Sequence, residues 1–254
     1  WNYTETNFAN LTFRLFNTTS NVNTTVYTST AYQINVSNYT SYLINPNEKY
    51  TYNITLIDYA LQTNVTETRT ITLDNINPGI SYESRTLANN SYSSSNTLFV
   101  NWTYTEINLA NFTFTLANLT GIVNQTIYNT TAYQINLTLP NTNYTYNLTI
   151  RDLANNYNET QTRIVVLDNT LPVPIYDSRT EINNTYVPRN WTFINITLTE
   201  TDLANITYTI ANSSFVNTTV FGSRILDINF TNLVDGNYTY NVTVKDLANN
   251  VNST

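Results

Sequence analysis

The sequence predicts an all-β protein built as three tandem sandwiches, and three observations carry that reading. The stretch Tyr-Thr-Tyr-Asn-apolar-Thr-apolar-x-Asp occurs at Tyr50–Asp58, Tyr144–Asp152 and Tyr238–Asp246, each copy starting 94 residues after the one before. That is an internal repeat of domain size. Within each copy the two tyrosines and two aliphatics share one parity, while Thr, Asn and Thr share the other, which is the period of a half-buried strand. Helical periodicity is absent, and a β-solenoid would show a sub-period of about 20–30 residues that this chain lacks.

The elements follow in order from this ruler. WNYTETNFANLTF at Trp1 aligns with WTYTEINLANFTF at Trp102 and ITLTETDLANITY at Ile196. Each reads as an alternating strand, a turn at Thr-Glu, and a second alternating strand. A third strand is expected around Val22–Tyr27, Ile122–Tyr128 and Val216–Phe221, and a fourth through Tyr32–Val36, Tyr133–Leu139 and Ile225–Phe230. The tyrosine strand comes next, then a polar loop (DYALQTNVTE, DLANNYNE, DLANNVNST). In the first two repeats a further strand ends at Leu73-Asp74-Asn75 or Leu167-Asp168-Asn169, before joints stiffened by Pro78 or by Pro172 and Pro174. The expected domains are 1–74, 75–168 with linker 75–79, and 169–254 with linker 169–174.

Short alternating strands of this number per repeat give an immunoglobulin-like sandwich. LPNTNY, ending at Tyr144, and LVDGNY, ending at Tyr238, look like the corner that leads into strand F of that fold. With only four Gly in the chain, Asn takes the turn positions. On this plan the first sandwich lacks strand A, having no counterpart of Ile80–Asn89 or Ile175–Asn184. The last lacks strand G, having no counterpart of TRTITLD or TRIVVLD. Two readings of the ends stay open: a window cut from a longer array, or gaps filled by strands of neighbouring subunits in a polymer.

DLANN, a strand and LDNTLPVP resemble the D-x-A-G-N and D-t-t-x-P signature of bacterial and archaeal tandem immunoglobulin-like repeats of adhesins, stalks and surface layers. The resemblance runs through all three copies. Asn155 and Asn249 depart from it by replacing Gly, and Leu61-Gln62-Thr63 marks a decayed first copy. It implies an extracellular, cell-surface location.

Composition narrows the function. A net charge of −7 and no basic stripe argue against nucleic acid. The absence of His and Cys removes a Ser-His-Asp triad, a thiolate nucleophile and Cys-ligated zinc, and no phosphate-binding loop is present. Paired carboxylates recur at equivalent strand ends in every repeat, which suits architecture better than one glycosidase site. No apolar run is long enough to span a membrane. Most of the 21 Tyr fall on the apolar parity and are expected in the cores, not on a sugar-binding face. The expectation is a non-enzymatic structural protein.

Charged residues make up only 11% of the chain, well under the usual quarter. Roughly 28 Asn-x-Ser/Thr acceptors are present, where shuffling would leave about 11. Six recur in all three repeats: Asn10, Asn111 and Asn205; Asn17, Asn118 and Asn212; Asn23, Asn124 and Asn217; Asn35, Asn136 and Asn229; Asn53, Asn147 and Asn241; Asn64, Asn158 and Asn252. Outward strand faces of Asn and Thr generate this pattern automatically. Asn64, Asn158 and Asn252 are expected in a loop, where alternation makes no such demand. N-glycans would also supply the hydration that few charges can.

One acidic constellation stands out. Strands B and F run the same way in such a sandwich, so Glu106 and Asp152 are expected at the pole that faces the incoming linker and its Asp74, with Asn108 close by. The second joint repeats the set as Asp168, Glu200, Asp202 and Asp246. Oxygen-only clusters suit Ca2+, and some relatives of the resembled family stiffen their joints this way. The alternative is that Asp152 and Asp246 only cap their turns.

Together these features predict a secreted, N-glycosylated stalk, coat or filament protein whose partners are further copies of itself. The alternative is a ligand-binding adhesin using the insertion Ser37–Lys49 with Tyr39 and Tyr42.

Overall fold

The computed structural model describes residues 2–29, 33–34, 48–129 and 131–254, and it is all-β. Among these residues no helix is long and apolar enough to cross a membrane. The second repeat shows the plan in full. Strands β6 (Gly79–Tyr82), β8 (Thr97–Thr105) and β11 (Gln134–Thr138) form one sheet in the order β11-β8-β6. Strands β7 (Ser91–Ser93), β9 (Leu109–Asn118), β10 (Gly121–Tyr128), β12 (Thr142–Asp152), β13 (Tyr157–Glu159) and β14 (Arg163–Leu167) form the other, ordered β10-β9-β12-β14-β7 with β13 also on β12. These are the two faces of an immunoglobulin-like sandwich.

Alternation decides which side chains meet. Tyr144, Tyr146, Leu148 and Ile150 of β12 are all buried, beside Phe112, Phe114 and Leu116 of β9 in the same sheet and in one core with Leu98, Val100 and Trp102 of β8 in the other. Each buried aromatic or aliphatic contributes about 1.5–3 kcal/mol. The Tyr144 hydroxyl donates to the Pro140 carbonyl at 3.0 Å and that of Tyr238 to the Val234 carbonyl at 3.1 Å, so the corner expected before strand F is present in both repeats.

In the third repeat, β15 (Val173–Tyr176), β16 (Thr192–Thr199) and β19 (Asp227–Phe230) form the smaller sheet. Strands β17 (Leu203–Ala211), β18 (Val216–Phe221), β20 (Thr239–Asp246) and β21 (Val251–Ser253) form the larger, in the order β18-β17-β20-β21. Its core is Ile194, Ile196, Ile206, Tyr208, Ile210, Val242 and Val244 with Phe230. The first repeat, among the described residues, is one five-stranded sheet: β1 (Phe8–Phe16), β2 (Asn21–Tyr27), β3 (Glu48–Asp58), β4 (Thr63–Val65) and β5 (Arg69–Leu73). Its inner face lines an open cavity of about 600 Å³ with Phe13, Leu15, Tyr50, Ile54 and Leu73.

Several expectations change. The strand expected at Trp1–Thr4 is absent at residues 2–4: its counterpart β8 is held between β6 and β11, and among the described residues nothing offers this segment either ladder. The fourth strand of the first repeat falls largely outside the described residues, as do Asn35, Tyr39, Tyr42 and the insertion apart from Glu48 and Lys49; residues 33–34 are not strand. The linkers are shorter than expected, because Gly79 and Val173 already lie in strands.

The polar loop after the tyrosine strand is a tight hairpin. β13 pairs with Thr149–Arg151 and β14 with Thr142–Tyr146, so the two are halves of one last strand interrupted at 160–162. β4 and β21 repeat the first half. The third repeat therefore holds the beginning of its last strand, and Asn64, Asn158 and Asn252 sit on strands, not in a loop. Their recurrence no longer separates a glycosylation signal from strand alternation.

Buried tyrosines set the alkaline limit of the fold. Burial pushes the Tyr82 hydroxyl up to about 12, partly offset by its hydrogen bond with Thr160. Burial also raises Tyr144, Tyr146, Tyr176, Tyr208 and Tyr240. A group whose pKa is raised on folding gives stability that is complete below its unfolded value near 10.0 and lost as pH climbs through the folded value. With no His to titrate near neutrality, near-ultraviolet circular dichroism should stay flat from neutral pH to about pH 10 and collapse above it. Tyrosinate absorbance should rise in the same step.

Candidate inter-repeat carboxylate sites and glycan acceptors

The inward row of β12 does not stop at Ile150. Its next member is Asp152, only 1% exposed, and in the third repeat Asp246 follows Val244 at 0%. Strand parity thus carries a carboxylate into the pole of each sandwich. A buried carboxylate must be hydrogen-bonded. The residue four positions on supplies the bonds: Asn156 donates its backbone N–H to Asp152 Oδ1 at 2.8 Å and its Nδ2 to Oδ2 at 2.7 Å. Asn250 does the same for Asp246 at 2.8 and 2.7 Å. The turn requires a left-handed residue at its fourth position, filled by Asn155 (φ 70°) and Asn249 (φ 72°), so Asn here stands in for Gly. The decayed first copy puts Leu61 there at φ 66°.

The same asparagines hold the incoming chain. Asn156 Nδ2 also donates to the Asp74 carbonyl at 3.1 Å, and Asn250 Nδ2 to the Asp168 carbonyl at 2.7 Å. Asn252 adds a bond to the Pro172 carbonyl at 3.0 Å. Asp74 and Asp168 are fixed by accepting the backbone N–H of Ile76 and Thr170. Glu106 and Glu200 accept from the backbone N–H of Asn108 and Asp202, both at 2.6 Å. A register shift beside Asp152 and beside Asp246 completes the pole.

The outcome is two equivalent clusters, Asp74 with Glu106 and Asp152, and Asp168 with Glu200 and Asp246. In each, ligand oxygens lie within 4.8 Å of one another. Two oxygens on opposite sides of one Ca2+ stand about 4.6–5.2 Å apart, so each set is compact enough to share a single ion. The joints differ in detail. Asn108 Nδ2 donates to Asp74 Oδ2 at 3.0 Å, whereas Asp202 occupies its place in the second. Arg224 donates to the Glu200 and Leu198 carbonyls, both at 2.6 Å. Asn156 and Asn250, as clasps on the linker, were not singled out from the sequence; their signal is the second Asn of DLANN.

None of the described acceptor asparagines of the six recurring sets is buried. Asn17, Asn118 and Asn212 sit at hairpin tips, each Oδ1 accepting the backbone N–H two residues on. Asn10, Asn111, Asn205, Asn147 and Asn241 lie on the parity opposite the core residues of their strands. Asn136 and Asn229 are exposed on β11 and β19. Asn53 is half-buried and donates weakly to Thr68 Oγ1 at 3.3 Å. Not every acceptor is open: Asn195, also in an Asn-x-Thr triplet, is 4% exposed, its backbone bracketed by Thr180.

No family model and no curated protein matches the chain. Among solved structures it is similar to the chicken CNTN1 FN1–FN3 domains (10% identity, TM-score 0.35, 98% of this chain and 89% of that one). It is also similar to a tetra-tandem repeat from the extending region of a large adhesion protein (16%, 0.36, 98% and 65%). A third is the fibronectin(III)-like modules of Clostridium thermocellum CbhA (11%, 0.37, 69% and 91%). At such identities the likeness concerns the fold alone.

Three substitutions test the turn. Asn156→Ala or Asn250→Ala leaves one oxygen of a buried aspartate unpartnered and should cost about 1–3 kcal/mol in urea unfolding. Leu61→Asn should gain up to about 1 kcal/mol, because it relieves a left-handed leucine. An unchanged midpoint in either case would contradict the assigned role.

Proposed function

We propose that the chain is a non-enzymatic, N-glycosylated extracellular structural protein. It is a subunit or segment of a cell-surface stalk, coat or filament that assembles with further copies of itself. The observation that carries this reading is the duplicated joint. The same three carboxylates, turn and linker clasp are rebuilt one repeat apart. An active site has no need to occur twice in register, whereas a repeating spacer needs the same connection at every junction. Asn- and Thr-rich surfaces with few charges fit a coat hydrated by sugars. The domains it strings together are 1–74, 75–168 and 169–254.

At each joint Ca2+ bound by Asp74, Glu106 and Asp152, or by Asp168, Glu200 and Asp246, offsets two of the three converging charges and fixes the linker angle. Asn108 and Asp202 tune the two sites differently, the second carrying one more carboxylate.

Thermal unfolding with Ca2+ and with chelator tests the joints. At Ca2+ near 100 times its Kd the stabilisation should be about 2.7 kcal/mol, and Glu106→Gln together with Glu200→Gln should abolish it. Coincident curves would remove the metal from the proposal. Mass analysis of the source-isolated chain before and after glycan removal tests the coat, and no loss of mass would overturn it.

A further inference from the structure

The larger sheet of each repeat ends on the same strand: β2 beside β1, β10 beside β9, and β18 beside β17. Among the described residues nothing pairs with the far side of these strands. An open edge invites a strand from another molecule, and proteins usually guard it with Lys, Pro, an inward charge or a bulge. Here the sequences are NVNTTVY, GIVNQTIY and VNTTVF, with no charged residue and no proline. β2 and β10 each have one bulge, confined to the start of the strand, and β18 has none. The outward parity worsens the hazard: Val26, Ile127 and Val220 are 55–59% exposed.

The three strands share one other feature. Asn23 lies opposite Leu15, Asn124 opposite Leu116, and Asn217 opposite Ile210. Those partners are core residues, so each asparagine stands on the core-facing side of the rim, where the row is only partly covered. Each is an Asn-x-Thr acceptor. In the first two repeats the triplet's own Thr25 or Thr126 hydroxyl donates to the asparagine Oδ1 at 2.8 Å. That bond engages the Oδ1 end of the amide and not Nδ2, the atom that carries a glycan.

We propose that N-glycans on Asn23, Asn124 and Asn217 are edge guards that replace the missing charges. The inference rests on the glycoprotein reading above and gives these three acceptors a separate task. A strand docking at the edge must come within about 4.8 Å and lay its own side chains beside the core-facing row. A hydrated sugar rising from that row occupies the space, so two copies cannot join edge to edge through these strands.

The test compares Asn23→Gln/Asn124→Gln/Asn217→Gln with Asn10→Gln/Asn111→Gln/Asn205→Gln, which removes acceptors from the outer face of the neighbouring strand. Both are expressed in an N-glycosylating host, and glycopeptide mass spectrometry reports occupancy. Light scattering against concentration should show the edge variant associating at roughly tenfold lower concentration than wild type, with the outer-face variant unchanged. Thr25→Ala/Thr126→Ala/Thr219→Ala, which keeps the amides but loses the acceptor triplets, should associate in the same way. Thr→Ser at these positions should restore wild-type behaviour. Occupied edge sites whose removal leaves association unchanged would overturn the guard while leaving the glycoprotein reading intact. Bare edge sites on an otherwise glycosylated chain would do the same. A chain with no glycan anywhere would overturn both.

Discussion

A buried carboxylate at the end of an apolar row is the constraint on which the rest of the joint depends. Asp152 and Asp246 take positions where alternation would place a fifth core residue, and in an apolar pole such a charge is untenable without donors. The Asn that follows four residues later removes the penalty from within its own turn. Once the turn is closed, its remaining amide hydrogen reaches the linker carbonyl. The demand for one satisfied aspartate thereby fixes where the next repeat begins. Few single positions in the chain have so many consequences.

Much of the fold was legible because strand parity is a strong signal. Tyr50, Tyr144 and Tyr146 are buried as the two-residue period requires, and the convergence of Asp74, Glu106 and Asp152 followed from knowing that strands B and F run the same way. What escaped was chemistry without a period. DLANN reads as polar loop because its residues are polar, yet Asp152 and Asn156 spend their polarity inside the turn, so the last strand starts five residues after the first aspartate. The strand expected at Trp1–Thr4 failed in the opposite direction over its described residues 2–4. Its alternation is real, but a strand also needs neighbours, and periodicity is silent on whether they are at hand.

The surface follows a related economy. Salt bridges among the described residues are few and mostly local, such as Arg69 with Glu67 and Arg179 with Asp177. Other arginines lie over aromatic rings, as Arg163 does over Tyr82 at 4.2 Å. Arg163 and Arg224 also donate to backbone carbonyls, and six carboxylates are gathered at the two poles. Hydroxyl and amide groups are left to carry most of the contact with water.

One pairing in the second repeat bears on how a load would travel. β7 runs parallel to β14, with Ser91, Tyr92 and Ser93 matched to Val165, Val166 and Leu167. The ladder is extended by the Asp168 N–H donating to the Ser93 carbonyl and the Asn90 N–H to the Ile164 carbonyl. These strands lie near the two ends of the repeat, so tension along the chain pulls them in opposite directions along their common axis. Every bond of the patch is then sheared at once, where an antiparallel hairpin pulled from its open end would unzip one bond at a time. The short parallel patch is thus the part of this repeat whose bonds would share a pull along the chain instead of taking it one at a time.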